Sequence, residues 1–272
     1  MKLRQSLLAI AVLTAAGSLA LTGCSTGSTD AGGDTGSTAS SGTDSGTDTG
    51  LKTVVDGKLT VCSDIPYEPF ESMKDGKAVG FDIDITAAIA EDLGLELNVV
   101  DSSFDAITSG LFKTDCDIAA SSISITDERK QNVDFSDPYY DDDLVLIAKK
   151  GSGITSIETA KGQEIGVQTA TTGEAYGQEN GLSTIGYEDS GLQIQSLKSG
   201  ATAGSLGNQS VLKFAIKGES DFEVVEEIKT GEQLGIAVPK GNADMLAAVN
   251  KTLGELKSSG DLDKFEAEWF GN

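Results

Sequence analysis

One polar stretch, from Ser122 to Arg129, carries side chains suited to binding a small anion. It follows an apolar run, residues 118–120, that predicts a buried strand, and its hydroxyls at Ser122 and Ser124 lie on one side of that strand. Thr126 can cap a short helical turn that carries Arg129. Open α/β sheets bind ligands at the carboxyl ends of their strands, and a guanidinium clamps a carboxylate with two parallel hydrogen bonds. The stretch therefore predicts a site for a small carboxylate ligand.

Two sets of alternating strands and helices surround this stretch. The first set runs from Leu59 to Ser122, in the order typical of a parallel sheet covered on both faces. A second α/β set follows from residue 155 to residue 225, and apolar strands at 144–148 and 234–238 connect the two sets. We therefore predict an α/β protein with two parallel-sheet lobes joined by two hinge strands, which enclose a cleft. The predicted boundaries are 51–144 and 236–272 for lobe 1 and 145–235 for lobe 2.

Other polar and aromatic residues are candidates for the walls of this cleft. Asp64 follows the first strand, where it can contact a ligand or cap a turn. Tyr67 lies in the proline-rich loop that comes next. Thr171 to Glu174 form a capping box, and a helix N-terminus of this kind is ready to bind an anion. A second capping box is predicted from Thr155 to Glu158.

The first residues of the chain predict export. A basic start, Met1 to Arg4, precedes an apolar run, as in a secretory signal peptide. The run ends Leu-Thr-Gly-Cys at Cys24, which resembles the lipobox of bacterial lipoproteins, where cleavage precedes a lipidated Cys. The alternative, a transmembrane anchor, is disfavoured because the run is short and interrupted by glycine. We expect a signal peptide over 1–23, a lipid on Cys24, and a flexible tether over 24–50 that is too poor in apolar residues to fold.

Composition excludes several classes of function. Lys and Arg number 20 against 43 Asp and Glu, and this acidic balance disfavours binding to nucleic acid or to an anionic membrane surface. The sequence has no His, which removes the commonest general base and metal ligand. We therefore expect no catalytic residue, no metal and no cofactor. An exported chain could pair Cys62 with Cys116. If their strands are parallel neighbours that end level, however, the two residues lie ~13 Å out of register, so we favour buried free thiols.

Several segments resemble one protein family. They are residues 79–84 (Val-Gly-Phe-Asp-Ile-Asp), residues 122–129 together with 133–140, and the ending Trp-Phe-Gly at 269–271. These are similar to the extracytoplasmic solute-binding proteins of bacterial ABC importers, in the polar amino acid group. The likeness implies a periplasmic-binding-protein-like fold. It also implies a monomeric receptor, tethered at the outer face of the cell membrane, that delivers an amino acid or similar small carboxylate to a permease.

The resemblance gives the stretch around Arg129 a specific role. In that family this Arg holds the α-carboxylate of the ligand, with help from the strand end at Ser122 and Ser124. The second lobe closes over the same carboxylate at Thr171 and Thr172. The capping box that opens the second-lobe helix agrees with such a role.

The resemblance also implies which residues contact the rest of the ligand. Tyr67 and Phe104 would sandwich its side chain. Asp64 and Gln168 occupy positions that contact the side chain in some members. The aromatic pair has a second interpretation, since buried aromatic residues more often serve as core.

The sequence departs from the family pattern where the ligand's α-ammonium would bind. The family usually has two Asp residues there, and this chain has Ala203 and Asn208. An amide can accept a hydrogen bond from an ammonium but brings no charge, and ~1.4 kcal/mol lost is a tenfold weaker affinity. Three explanations stay open: weaker binding of amino acids, a ligand without an ammonium, or compensation by a nearby acid such as Asp142 or Asp64.

Two rival functions are compatible with the sequence. One is an exported enzyme on the same scaffold, similar to the cyclohexadienyl dehydratases, with Asp64, Glu68 or Asp142 as the acid. The other is a signalling or adhesion module, as a ligand sensor or without any small ligand. A screen with amino acids and carboxylates separates the last of these, because a bound ligand raises the melting temperature.

Overall fold

Short strands and helices alternate along the described residues. The computed structural model describes residues 50–271. The first elements, in chain order, are β1 (Lys58–Ser63), β2 (Ser72–Lys74), β3 (Lys77–Val79), α1 (Phe81–Asp92), β4 (Glu96–Asp101), α2 (Phe104–Thr108), β5 (Ile118–Ala119), β6 (Val133–Phe135) and β7 (Tyr140–Asp141). Two short 3-10 turns, Leu111–Thr114 and Arg129–Gln131, lie between them.

A second group of elements follows, and the chain then returns. Its members are β8 (Leu144–Lys149), α3 (Ile157–Ala160), β9 (Glu164–Gln168), α4 (Thr172–Glu179), β10 (Ser183–Tyr187), α5 (Ser190–Ser199), β11 (Gly204–Asn208), α6 (Gln209–Ala215) and β12 (Phe222–Ile228). The returning elements are β13 (Gln233–Leu234), β14 (Ala237–Pro239), α7 (Ala243–Ser259) and α8 (Asp261–Phe270).

Two five-stranded sheets form the centres of two lobes. The first has the order β4-β1-β5-β14-β6 and the second the order β10-β9-β11-β8-β12. Each is mixed rather than wholly parallel, because β14 runs antiparallel to β5 and β6, and β8 runs antiparallel to β11 and β12. The antiparallel strands are those that enter a lobe from the crossing. They start at the edge where the parallel strands end, so they must run the opposite way.

The two crossings lie side by side. β7 and β13 pair in an antiparallel ladder, with Gln233 opposite Asp141 and Leu234 opposite Tyr140. This two-stranded ribbon joins the lobes and lies at the edge where the polar strand ends converge. Residues on the ribbon therefore reach both lobes at once.

The last two helices pack on the first lobe. Phe270 of α8 stacks on Tyr140 with ring centroids 4.9 Å apart, and it meets Phe70 and Phe81 edge-on at 5.3 Å. Trp269 donates a hydrogen bond from Nε1 to an Asp84 carboxylate oxygen at 2.6 Å. The C-terminal segment thus closes the core of the first lobe beside the crossing.

Cys62 and Cys116 form a disulfide, so the prediction of free thiols was wrong. The error lies in the assumed length of the strand before Ser122. β5 has two residues, and Cys62 of β1 pairs with its Ala119. Cys116 precedes the strand at the end of a 3-10 turn, where its N–H bonds to the carbonyl of Phe112 at 2.9 Å. The chain therefore folds back over β1, and the two Cα atoms lie 5.7 Å apart.

The capping box predicted from Thr155 to Glu158 begins one residue later. Ser156 caps α3, and the hydroxyl of Thr159 accepts from the Ser156 N–H at 2.9 Å. Glu158 instead pairs with Lys161. The Thr159 hydroxyl thus takes the place predicted for the Glu158 carboxylate, which faces solvent.

The N-terminal predictions concern a part of the chain that the structure leaves undescribed. The predicted signal peptide, the lipidated Cys24 and all but the last residue of the predicted tether lie outside the described residues. Within residues 50–271, no helix has the length and apolar character needed to span a membrane.

Candidate functional site

The stretch from Ser122 to Arg129 leaves the sheet in a sharp turn at the end of β5. Ser122 has a positive φ of 47°, and its N–H bonds to the Asp82 carboxylate at 2.7 Å. Its hydroxyl is buried and has no hydrogen-bond partner among the described residues. Thr126 accepts a bond from the Arg129 N–H at 3.2 Å, which confirms the predicted cap. The turn thus presents an unpaired hydroxyl and a buried guanidinium from one short segment.

Arg129 lies where the two lobes meet. It is only 7% exposed and donates from one Nη to the Ser124 carbonyl at 2.9 Å and from the other to the Ala170 carbonyl at 3.0 Å. The Phe104 ring centroid lies 5.0 Å from the guanidinium carbon, within reach of a cation–π contact. Burial lowers the pKa of Arg129 to about 10, so it stays charged at neutral pH. Its partners here are carbonyls, and no described carboxylate forms an ion pair with it.

Hydrogen bonds between side chains hold the cleft closed. Tyr67 donates from Oη to the Asn208 amide oxygen at 2.8 Å, from the first lobe to the second. Gln168 donates in the opposite direction to Asp64 at 2.5 Å. These four residues were predicted at the site, and the structure brings them together in two cross-lobe pairs.

Asp64 is a buried acid in an acidic environment. It is 5% exposed, and burial raises its pKa to about 7, opposed by the Gln168 hydrogen bond. The carboxylates of Asp101, Asp189 and Glu188 raise that pKa further. Within residues 50–271, no Lys or Arg forms an ion pair with Asp64. A cation entering the cleft would stabilise the ionised form of this group.

Asp142 lies beside Asn208, at the end of β11. It is 2% exposed, and one carboxylate oxygen accepts from the N–H and hydroxyl of Ser210 at 3.1 and 2.9 Å. The other oxygen is buried without a well-formed hydrogen bond, as is the amide nitrogen of Asn208. Burial raises the pKa of Asp142 to about 7, while Ser210 and the nearby Asn208 side chain lower it. The Asp142 carboxylate and the Asn208 amide therefore lie side by side, and neither makes its full set of well-formed hydrogen bonds within residues 50–271.

The hydroxyls of the second-lobe capping box divide their roles. Thr171 caps α4, accepting from the Glu174 N–H at 3.2 Å, and donates to the Gln168 carbonyl at 2.7 Å. Glu174 accepts from the Ala170 N–H at 2.8 Å. Thr172 instead points its hydroxyl at the Glu232 carboxylate, 2.7 Å away. Of the two predicted threonines, Thr172 faces the cleft with its side chain and Thr171 shapes the loop.

Phe104 lies directly under the guanidinium of Arg129. It is buried in a cluster with Ile107, Phe112 and the disulfide, and its ring carries the Arg129 guanidinium. Its contacts therefore position Arg129. The packing of Tyr67 on Phe70, with ring centroids 6.3 Å apart, leaves its hydroxyl in the cleft among Asp142, Glu71, Asp64 and Glu232.

Three acids at the site were not singled out from the sequence. Glu71 accepts from the Ser121 hydroxyl at 2.5 Å, and Asp82 accepts from Tyr139 Oη at 2.9 Å. Burial raises the pKa of both carboxyls, to about 7 for Asp82. The charge of Asp82 raises the pKa of Glu71 further. Their hydrogen bonds to Ser121 and Ser122 fix the turn at the end of β5. Glu232, the third, accepts from both lobes, and its only sequence signal is its place just before the returning strand.

Acids and hydroxyls dominate the site. In the described part of the chain, no group of three or more His, Cys, Asp or Glu side chains is suited to hold a metal ion. What the arrangement offers is one buried cation with hydroxyl donors at one end and buried carboxylates at the other. That pattern complements a small molecule that carries both a carboxylate and a positive charge.

Comparison with known proteins gives a consistent result. The profile of the bacterial extracellular solute-binding proteins, family 3, matches residues 59–272. The chain is 35% identical over 226 residues to the lysine/arginine/ornithine-binding periplasmic protein of Escherichia coli, covering 76% of this chain and 85% of that protein. It is 30% identical over 220 residues to the arginine-binding extracellular protein ArtP of Bacillus subtilis, covering 78% and 86%.

Solved structures confirm the predicted two-lobed fold. One of them is an ancestral amino acid-binding protein, AncCDT-1, described as a precursor of cyclohexadienyl dehydratase. It aligns with a TM-score of 0.74 at 33% identity, over 79% of this chain and 96% of the other.

Proposed function

Because the chain belongs to the bacterial extracellular solute-binding proteins of family 3, we propose that it is the receptor of an ABC importer for an amino acid with a cationic side chain. In this proposal it is anchored to the outer face of the cell membrane through a lipid on Cys24 and delivers its ligand to a permease. The names of two relatives support the ligand class, since one binds lysine, arginine or ornithine and the other binds arginine. The chemistry of the cleft supports it independently.

The observation that carries this proposal is the state of Asp64. A buried carboxylate with three acidic neighbours and no described cationic partner is costly to ionise, which is why its pKa is raised. A guanidinium or ammonium on the ligand side chain would offset that cost. A neutral or acidic ligand side chain would leave the cost of ionising Asp64 uncompensated.

The other polar groups of the cleft complete a three-point match. Arg129, Ser124 and Thr172 supply the donors for the ligand carboxylate. Asp142 supplies the charge for the α-ammonium that Asn208 lacks, so compensation is our choice among the three explanations of that departure. Tyr67 lies between these points. The three charged groups of a basic amino acid thus each meet the opposite charge.

A thermal-shift screen followed by calorimetry tests the proposal. Arginine, lysine and ornithine should raise the melting temperature, whereas glutamine and glutamate should shift it less at equal concentration. Asp64→Asn should weaken arginine binding about tenfold or more, the worth of a charge-assisted bond, and reduce the preference for arginine over glutamine. Asp127→Asn is the matched control, because that carboxylate is exposed and contacts only Lys130. No shift with any amino acid would refute the proposal.

A second candidate function is dehydration of a cyclohexadienyl acid. Two buried carboxyls, Asp64 and Asp142, have a pKa near 7 and so can exchange a proton at neutral pH. The likeness to a dehydratase precursor agrees with this candidate. Incubation with prephenate or arogenate decides: turnover that Asp64→Asn or Asp142→Asn abolishes would identify an enzyme.

A further inference from the structure

Glu232 occupies the point where both lobes direct their hydroxyls. One of its carboxylate oxygens accepts from the Ser124 hydroxyl at 2.6 Å and from the Thr172 hydroxyl at 2.7 Å. Ser124 belongs to the first lobe and Thr172 to the start of α4 in the second. A single carboxylate oxygen therefore bridges the lobes next to Arg129, whose charge it also stabilises.

The backbone of Glu232 is fixed at the crossing. Its carbonyl accepts from the Asp142 N–H at 3.1 Å, and its neighbour Gln233 pairs with Asp141 in the two-stranded ribbon. Only the side chain reaches into the site. It can leave the two hydroxyls by changing rotamer, without any break in the ribbon.

A ligand carboxylate and Glu232 cannot use these hydroxyls together. Ser and Thr hydroxyls have one hydrogen to donate each, and here both hydrogens go to Glu232. Two carboxylates at this distance would also repel each other. A ligand carboxylate that takes the hydroxyls must therefore displace the Glu232 side chain.

We propose that Glu232 is a carboxylate built into the receptor that substitutes for the ligand's own: it latches the empty cleft closed and competes with the ligand. The competition rests on the proposed function in one respect, that the ligand carboxylate binds Ser124 and Thr172. The latch itself needs no ligand. Only molecules that are not latched can bind the ligand. The apparent Kd is therefore the intrinsic Kd divided by the fraction of unlatched molecules.

Fluorescence transfer between the lobes tests the latch without ligand. Dyes at Lys113 and Glu179, one exposed position in each lobe, can be attached through non-natural amino acids so that the disulfide stays intact. Glu232→Ala should lower the transfer efficiency of the ligand-free protein, as the lobes separate more often. Glu232→Gln, which keeps a neutral acceptor, should lower it less. Glu223→Ala, an exposed acid on β12, should leave it unchanged.

Calorimetry with arginine then tests the competition. Removing the internal competitor should lower the Kd of Glu232→Ala about tenfold if the latch holds nine molecules in ten. Unchanged transfer efficiency in the ligand-free Glu232→Ala protein would refute the latch. Open lobes with weaker arginine binding would show that Glu232 contacts the ligand, which refutes competition. Failure of every basic amino acid to bind either protein refutes the proposed function, while the ligand-free measurement still decides the latch.

Discussion

Relocating one negative charge tests the cation-binding half of the cleft. Asp142→Asn removes the buried carboxylate that we assign to the α-ammonium. Asn208→Asp places a carboxylate at the end of β11, beside the same point. The double variant Asp142→Asn/Asn208→Asp therefore keeps the charge and changes only the residue that carries it.

The expected effect follows from burial and bonding. A hydrogen bond to a charged group contributes ~1.5–3 kcal/mol and a neutral bond ~0.5–1.5 kcal/mol. Asp142 is 2% exposed, so little solvent screens its charge. One of its oxygens also has no well-formed hydrogen bond within residues 50–271. We expect Asp142→Asn to raise the Kd for arginine at least about tenfold, the equivalent of ~1.4 kcal/mol. The double variant should return to within about threefold of the original.

Calorimetry at pH 8 is the appropriate assay, because the pKa of Asp142 is about 7 and the carboxyl is then largely ionised. Asp141→Asn serves as the control, since that exposed neighbour contacts Gln233 and not the cleft. Two results would refute the assignment. One is an unchanged Kd in Asp142→Asn. The other is a correctly folded double variant that binds no better than Asp142→Asn alone.

Three further outcomes are expected. Burial raises the pKa of Asp64 to about 7, so the folded state holds a proton that the unfolded state loses near pH ~4, and this stability is lost as pH rises from ~4 through 7. Melting curves of the ligand-free protein across this range should show a decline that Asp64→Asn reduces, and an equal decline in the variant would contradict it. Replacing Cys62 and Cys116 by Ala opens a loop of 54 residues and should cost about 4 kcal/mol in chemical denaturation, whereas an unchanged midpoint would refute the loop-closure reasoning. Gly80→Ala would place Cβ 2.0 Å from the Phe70 carbonyl oxygen at a φ of 142°, so it should cost at least about 3 kcal/mol, and a loss under about 1 kcal/mol would show that the backbone relaxes there.

The turn that carries Arg129 was predictable because its signals are local. Thr126 and Arg129 lie within one turn, so spacing alone places the cap and the guanidinium. Strand β9 and strand β10 begin and end where their apolar patterns predict, at Glu164–Gln168 and Ser183–Tyr187. Such features depend on neighbours in sequence, which are visible before any fold is known.

Features that depend on the length of one short element were not predictable. The disulfide requires that β5 stop at two residues, and the apolar run beside it gave no sign of this. The contacts of Glu232 were not predictable for a different reason: they form only when a first-lobe turn, a second-lobe helix and the returning strand meet. Each of its two hydroxyl partners lies at least 60 residues away in sequence.

The run of three Asp residues at the crossing shows how an extended backbone places identical side chains in different environments. Asp141 and Asp143 lie on one side: Asp141 pairs with Gln233, and Asp143 accepts from Thr230, Gly231 and Lys229. Asp142 between them points to the opposite side, since successive side chains alternate. A solvated run was the simpler interpretation of the sequence. It holds for Asp141, whereas Asp143 is half-buried and bonded to the returning chain, and the side chain of Asp142 points into the cleft.

The charges of the cleft imply an order of ligands. Arg129 supplies one positive charge against the carboxylates of Asp64 and Asp142, so these three groups are net negative once both acids are ionised. A basic amino acid brings one net positive charge, glutamine brings none, and glutamate brings one negative charge. Each step along that series leaves one more buried carboxylate without a partner, and a buried unpaired charge is costly. Affinity should therefore fall from arginine to glutamine to glutamate, and the fall should be less steep in Asp64→Asn.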